Sequence, residues 1–120
     1  MPLDKIKFTI KQNDTLPSLS INITYTGRLA QLVPLNLSGV SAVTFSMKDE
    51  CCGYLKVSSK QAQIASYCDG TLQYNWDAED TNEPGDYFGQ FELFYTNGGK
   101  MSVPSTGGIH IQIPPDISNI

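Results

Sequence analysis

Asp69-Gly70-Thr71-Leu72-Gln73-Tyr74-Asn75-Trp76 opens on a hairpin dipeptide and then alternates, with Leu72, Tyr74 and Trp76 on one side and Thr71, Gln73 and Asn75 on the other. A period of two sends successive side chains to opposite faces of an extended chain, so this is a half-buried strand behind a tight turn. The same pattern repeats outward. Upstream, Ile6, Phe8 and Ile10 alternate with Lys5, Lys7 and Thr9; Leu19, Ile21, Ile23 and Tyr25 alternate with Ser18, Ser20, Asn22 and Thr24. Gln12 to Pro17 supplies the turn between those two runs. Val43, Phe45 and Met47 form a further strand, and shorter runs lie at Tyr54, Leu55 and Val57 and at Ala62 and Ile64. Downstream, a loop of acids and turn formers from Asp77 to Gly85 leads into a long strand from Tyr87 to Tyr95. Asn97-Gly98-Gly99 turns it into Met101 to Val103, and Ile109, Ile111 and Ile113 make a last strand that Pro114-Pro115 stops.

No segment carries a helical stripe of ten or more residues; the nearest, Lys60 to Tyr67, is short and alternating. Seven to nine short strands separated by turn signals predict an all-β fold, an antiparallel β sandwich, over residues 1–113. Residues 114–120 form a tail that either dangles or docks on a neighbouring subunit, with Ile117 and Ile120 apolar where solvation alone does not ask for them.

A chain of 120 residues is one domain, large enough for a hydrophobic core without metals or disulfides. Its charged fraction, 17%, lies below the roughly 25% of an ordinary globular domain, and 40% is apolar, which excludes disorder. The net charge of -4 speaks against a phosphate-binding role, so no nucleic acid is expected as partner. No apolar run reaches membrane-span length and none at the N-terminus has the length of a signal sequence; the expectation is synthesis in a cytoplasm without a membrane partner.

Chemistry is sparse. Cys51, Cys52 and Cys68 are an odd set, expected as free thiols rather than as a disulfide or as a metal site with His110, since adjacent cysteines on a strand face opposite sides. His110 falls on the outward side of its strand pattern, and one histidine leaves few ways to build a nucleophile–base pair. No enzyme, cofactor, catalytic residue or metal ligand is therefore expected. Asp77, Glu79, Asp80, Glu83 and Asp86 crowd one loop, read as a solvated acidic turn, with an ion site as the alternative. Sequons at Asn22 and Asn36 carry little weight without a secretory route. Tyr54, Tyr67, Tyr74 and Trp76 leave open a carbohydrate-binding adhesion module that stacks sugars on exposed aromatics, although aromatics at alternating strand positions are more often core.

The run from Trp76 to Glu92, Trp-Asp-Ala-Glu-Asp-Thr-Asn-Glu-Pro-Gly-Asp-Tyr-Phe-Gly-Gln-Phe-Glu, is the most distinctive in the chain. It resembles the N-terminal domain of phage baseplate upper proteins and of short phage structural proteins, where Tyr-x-Trp ends a strand, an Asp-Thr turn follows, and Pro-Gly-x-Tyr opens a strand reading Gly-x-Phe-Glu. Phe8 to Pro17, Leu35 to Gly39 with Val43 to Met47, and Asp69 to Tyr74 are similar to earlier parts of that domain in the same order. Cys51-Cys52-Gly53 is not part of the pattern. The resemblance implies an immunoglobulin-like module and a structural corner built from Trp76, Asp80, Thr81, Pro84, Gly85 and Tyr87. In it the Tyr87 hydroxyl bonds back across the turn, as in a tyrosine corner.

For function, the resemblance implies a non-enzymatic virion structural protein, a capsid decoration or cement protein or a small tail or baseplate module. It would act by protein–protein contacts with a major capsid protein or tail and baseplate proteins in a symmetric multi-copy assembly. The docking arms expected in that case are Met1, Pro2 and Leu3 at one end and Pro114, Pro115, Ile117 and Ile120 at the other.

Overall fold

The structure, a computed structural model, describes residues 7–26, 32–34, 37–103 and 108–115. The strands are β1 (Lys7–Thr9), β2 (Leu19–Asn22), β3 (Thr24–Thr26), β4 (Leu32–Pro34), β5 (Val40–Asp49), β6 (Leu55–Gln61), β7 (Gln63–Ser66), β8 (Thr71–Tyr74), β9 (Gly85–Tyr95), β10 (Lys100–Val103) and β11 (Ile109–Ile113). Among the described residues there is no α-helix, only one 3-10 turn at Ala78–Asp80. One sheet runs β1-β11-β9-β5-β6, with β10 also on β9; a second runs β2-β8-β7; β3 and β4 pair with each other. The two larger sheets pack face to face as an immunoglobulin-like sandwich.

The all-β expectation holds, with more strand segments than the seven to nine expected, because alternating runs break where the chain leaves one pairing for another. The run from Leu19 to Tyr25 is interrupted at Ile23, whose amide donates to the Gly70 carbonyl at 2.7 Å. β4 falls where no strand is expected. The two short runs that begin at Tyr54 and at Ala62 are β6, which pairs with β5 in the first sheet, and β7, which pairs with β8 in the second, with a break at Ala62 between them. One pairing, β1 with β11, is parallel. Lys60 to Tyr67, the most helix-like stretch, is strand up to Ser66 apart from that break.

The core is what the alternation predicts. Leu19, Ile21, Leu72 and Tyr74 of the smaller sheet and Val43, Phe45, Met47, Phe91, Leu93, Ile109, Ile111 and Ile113 of the larger are all buried. Phe45 joins the two layers, stacking on Tyr74 at 4.5 Å between ring centroids and meeting Trp76 edge-on at 5.7 Å. Such ring pairs add roughly 0.5–1.5 kcal/mol beyond the area they bury.

β9 organises the larger sheet. Of its eleven residues, Tyr87 to Tyr95 run along β5 on one edge; along the other, Gly85 to Gly89 pair with β11 and Phe91 to Phe94 with β10. Asp86 at its start is therefore flanked by the end of β5 on one side and by β11 on the other.

Of the expected docking arms, Met1, Pro2, Leu3, Ile117 and Ile120 lie outside the described residues. Pro114 is anchored to the fold, its carbonyl accepting the Gln12 amide at 2.9 Å, and Pro115 is exposed.

Candidate functional site

The corner between β8 and β9 takes the form the motif implies. Tyr87 is buried and its hydroxyl donates to the Glu83 carbonyl at 2.9 Å. Gly85 has φ +150°, a conformation L side chains rarely adopt, directly after the fixed φ of Pro84. Thr81 is fully buried, its hydroxyl donating to the Asp14 carbonyl at 2.8 Å. Asp80 is 1% exposed and accepts from the Tyr74 hydroxyl, the Asp77 amide and the Lys60 ammonium. The Lys60–Asp80 hydrogen bond raises the lysine above its usual range. These residues hold the turn together and are structural.

The solvated acidic loop of the sequence reading is corrected at one residue. Asp80 is buried, whereas Asp77, Glu79, Glu83 and Asp86 are exposed. Asp77 faces Lys60 at 3.3 Å. Glu83 accepts from Lys56 at 2.9 Å and from the Tyr54 hydroxyl at 3.0 Å, and these bonds, Lys56 first, hold its carboxyl below the ordinary range. The sugar-stacking set divides as well: Trp76 and Tyr74 are core, whereas Tyr54 and Tyr67 are 44% and 51% exposed.

Asp86 turns instead toward two residues that the sequence reading did not associate with it. Glu50 follows the last residue of β5, and its amide donates to the Asp86 carbonyl at 3.0 Å, which sets the two residues side by side. Across β9, Gln112 pairs with Asp86 and His110 with Phe88, so His110 is the diagonal neighbour of Asp86 on the same face. The Phe88 ring lies 5.8 Å from the imidazole. His110 Nε2 stands 3.1 Å from Asp86 Oδ1 and 3.8 Å from Glu50 Oε2. The expectation of a plain solvent-facing histidine is corrected: its side chain is 33% exposed and aims at two carboxylates. Among the described residues, this is the one group of three metal-ligating side chains whose ligand atoms all lie within 4.8 Å of one another. Sequence spacing could not reveal it, because the three residues meet only through the register of β5, β9 and β11.

The loop that carries Glu50 continues through Cys51 and Cys52. The Asp49 amide donates to the Tyr54 carbonyl, the Gly53 amide to the Asp49 carbonyl, and Gly53 has φ +77°, so residues 50–53 close a tight hairpin end that needs glycine at its last position. Glu50, Cys51 and Asp86 line one open concavity with Asp49, Pro84 and Gly85. All three cysteines are free and exposed. The argument that adjacent cysteines face apart is corrected, since the pair sits on a turn and the two Sγ atoms are 3.5 Å apart. The Cys51 sulfur beside it pushes the Cys52 thiol up from its ordinary value.

No family model and no curated protein matches this chain. Among solved structures it is similar to CopC from Methylosinus trichosporium OB3b, with TM-score 0.50 and 15% identity over 92% of this chain and 86% of that one. That likeness supports the immunoglobulin-like β sandwich as a fold. It also corrects the virion reading: the fold is shared over nearly the whole chain by CopC, so it is not by itself the mark of a phage capsid, tail or baseplate protein.

Proposed function

We propose that this chain is a non-enzymatic β-sandwich module that binds a divalent transition-metal ion through Glu50, Asp86 and His110. The observation that carries the reading is the convergence of one imidazole nitrogen from β11 and two carboxylate oxygens, one from β9 and one from the turn that follows β5. Ligands about 2.1 Å from a tetrahedral ion stand about 3.4 Å apart. The separations of 3.1 Å and 3.8 Å from Nε2 to its two carboxylate partners bracket that value. An imidazole beside carboxylates favours zinc and its first-row neighbours over calcium or magnesium, which prefer oxygen alone. The non-enzymatic part rests on the same residues: the single histidine is a ligand, so it is not free to act as base for a nucleophile.

Zinc titration by calorimetry tests this, using the chain with Cys51→Ser, Cys52→Ser and Cys68→Ser so that thiols do not compete. One equivalent is expected to bind, with a rise in thermal midpoint. Adding His110→Ala should weaken binding at least about 10–100-fold, the loss seen even when only a supporting partner of a ligand is removed. Equal zinc affinity with and without His110 would overturn the reading.

A further inference from the structure

We infer that Cys51 and Cys52 form a second, independent site, a two-thiol clip for a thiophilic metal or metalloid ion that accepts both sulfurs on one side. The two Sγ atoms are already 3.5 Å apart, the Cys52 thiol donating to the Cys51 sulfur. Two thiolates on a tetrahedral ion at about 2.3 Å stand about 3.8 Å apart, so closing on such an ion needs only a small side-chain adjustment. Ions that demand opposed sulfurs do not fit a pair of adjacent residues.

The backbone beneath the pair is held in place. The Cys51 amide donates to Asp49 Oδ1 at 2.7 Å, and the turn closes through the Gly53 amide and the Asp49 carbonyl at 2.9 Å. Both thiols are exposed, so a ligand reaches them without opening the fold. Cys68, exposed on the β7–β8 turn, serves as an internal comparison: it has the same chemistry without a neighbouring sulfur. The inference does not depend on Glu50, Asp86 and His110 binding metal, because both ligands of the clip come from Cys51 and Cys52 themselves.

Phenylarsine oxide is the probe. Its arsenic forms two As–S bonds while its oxygen takes both thiol protons and leaves as water, so no oxidant or reductant is involved. Intact mass spectrometry of the reduced protein should show one arsenical bound per chain, retained in excess monothiol and removed by a small dithiol. Cys51→Ser and Cys52→Ser should each lower retention about 100-fold or more, the advantage of holding a ligand at two points rather than one. Cys68→Ser and His110→Ala should leave it unchanged. Release from the wild-type protein by monothiol, or full retention in either Cys51→Ser or Cys52→Ser, would overturn the inference. Circular dichroism of each variant separates a lost site from a lost fold.

Discussion

The Tyr74 hydroxyl donates to Asp80 Oδ2 at 2.6 Å, tying the end of a core strand to the turn that follows it. The same carboxylate accepts the Asp77 amide at 2.9 Å and the Lys60 ammonium at 2.8 Å, so one buried side chain binds strand, turn and the neighbouring strand β6. Asp80→Ala leaves the buried Tyr74 hydroxyl and the Asp77 amide without this acceptor, while Lys60 keeps Asp77 at 3.3 Å, and about 3 kcal/mol of stability should be lost. Tyr74→Phe, which removes one donor, should cost about 1–3 kcal/mol. Urea midpoints measure both, and an Asp80→Ala variant within about 1 kcal/mol of wild type would contradict this account of the corner.

Tyr87→Phe should cost about 1 kcal/mol through the hydrogen bond to the Glu83 carbonyl. A pH dependence accompanies it. Burial above all pushes the Tyr87 hydroxyl up to about 12, against about 10 in an unfolded chain. The folded state keeps this proton where the unfolded state has lost it, so the contribution is complete below about pH 10 and is lost as pH rises toward about 12. Tyr74 is shifted in the same direction, mainly by burial, and adds to the decline. Stability measured across that window should fall less steeply in Tyr87→Phe; an identical slope would assign the decline to other groups.

Gly89→Ala tests the packing under β9. A Cβ there would stand 2.7 Å from Phe45 Cζ and 2.7 Å from Ile111 Cδ1, inside contact distance of side chains that are themselves fully buried. Overpacking of this kind costs about 1–3 kcal/mol. Thermal denaturation should show the drop with unchanged far-ultraviolet dichroism, whereas an unaltered midpoint would mean that Phe45 moves aside freely.

Most of the core was legible in the sequence because one buried face forces a period of two: Leu72, Tyr74 and Trp76, or Ile109, Ile111 and Ile113, sit inside as their alternation predicts. Tyr87 was legible through its turn, since Pro84-Gly85 fixes where the chain re-enters the sheet. Strand neighbours were not legible. Nothing local to Lys7 announces a parallel partner at His110, and nothing near Asp86 points to Glu50, because both relations arise from pairing between distant segments. Asp80 was misread for a related reason: an acid in a polar loop resembles solvated surface until Lys60 and Tyr74 arrive from other strands to receive it. The cysteine pair was misread through its element, as period-two geometry was applied to residues that occupy a turn.

The candidate metal site carries a stability signature of its own. Glu50 lies beside Asp86 across the β5–β9 edge, their side chains 48% and 51% exposed, and like charges in adjacent cross-strand positions cost roughly 0.2–1 kcal/mol. Glu50→Gln should therefore raise the thermal midpoint of the metal-free protein slightly, more at low ionic strength than at high. The same variant should reduce the rise that zinc produces, because it removes a charged ligand. Opposite signs in the two measurements are what a site shaped for a cation requires. A Glu50→Gln variant that is less stable without metal would show instead that Glu50 serves the fold through its contact with His110.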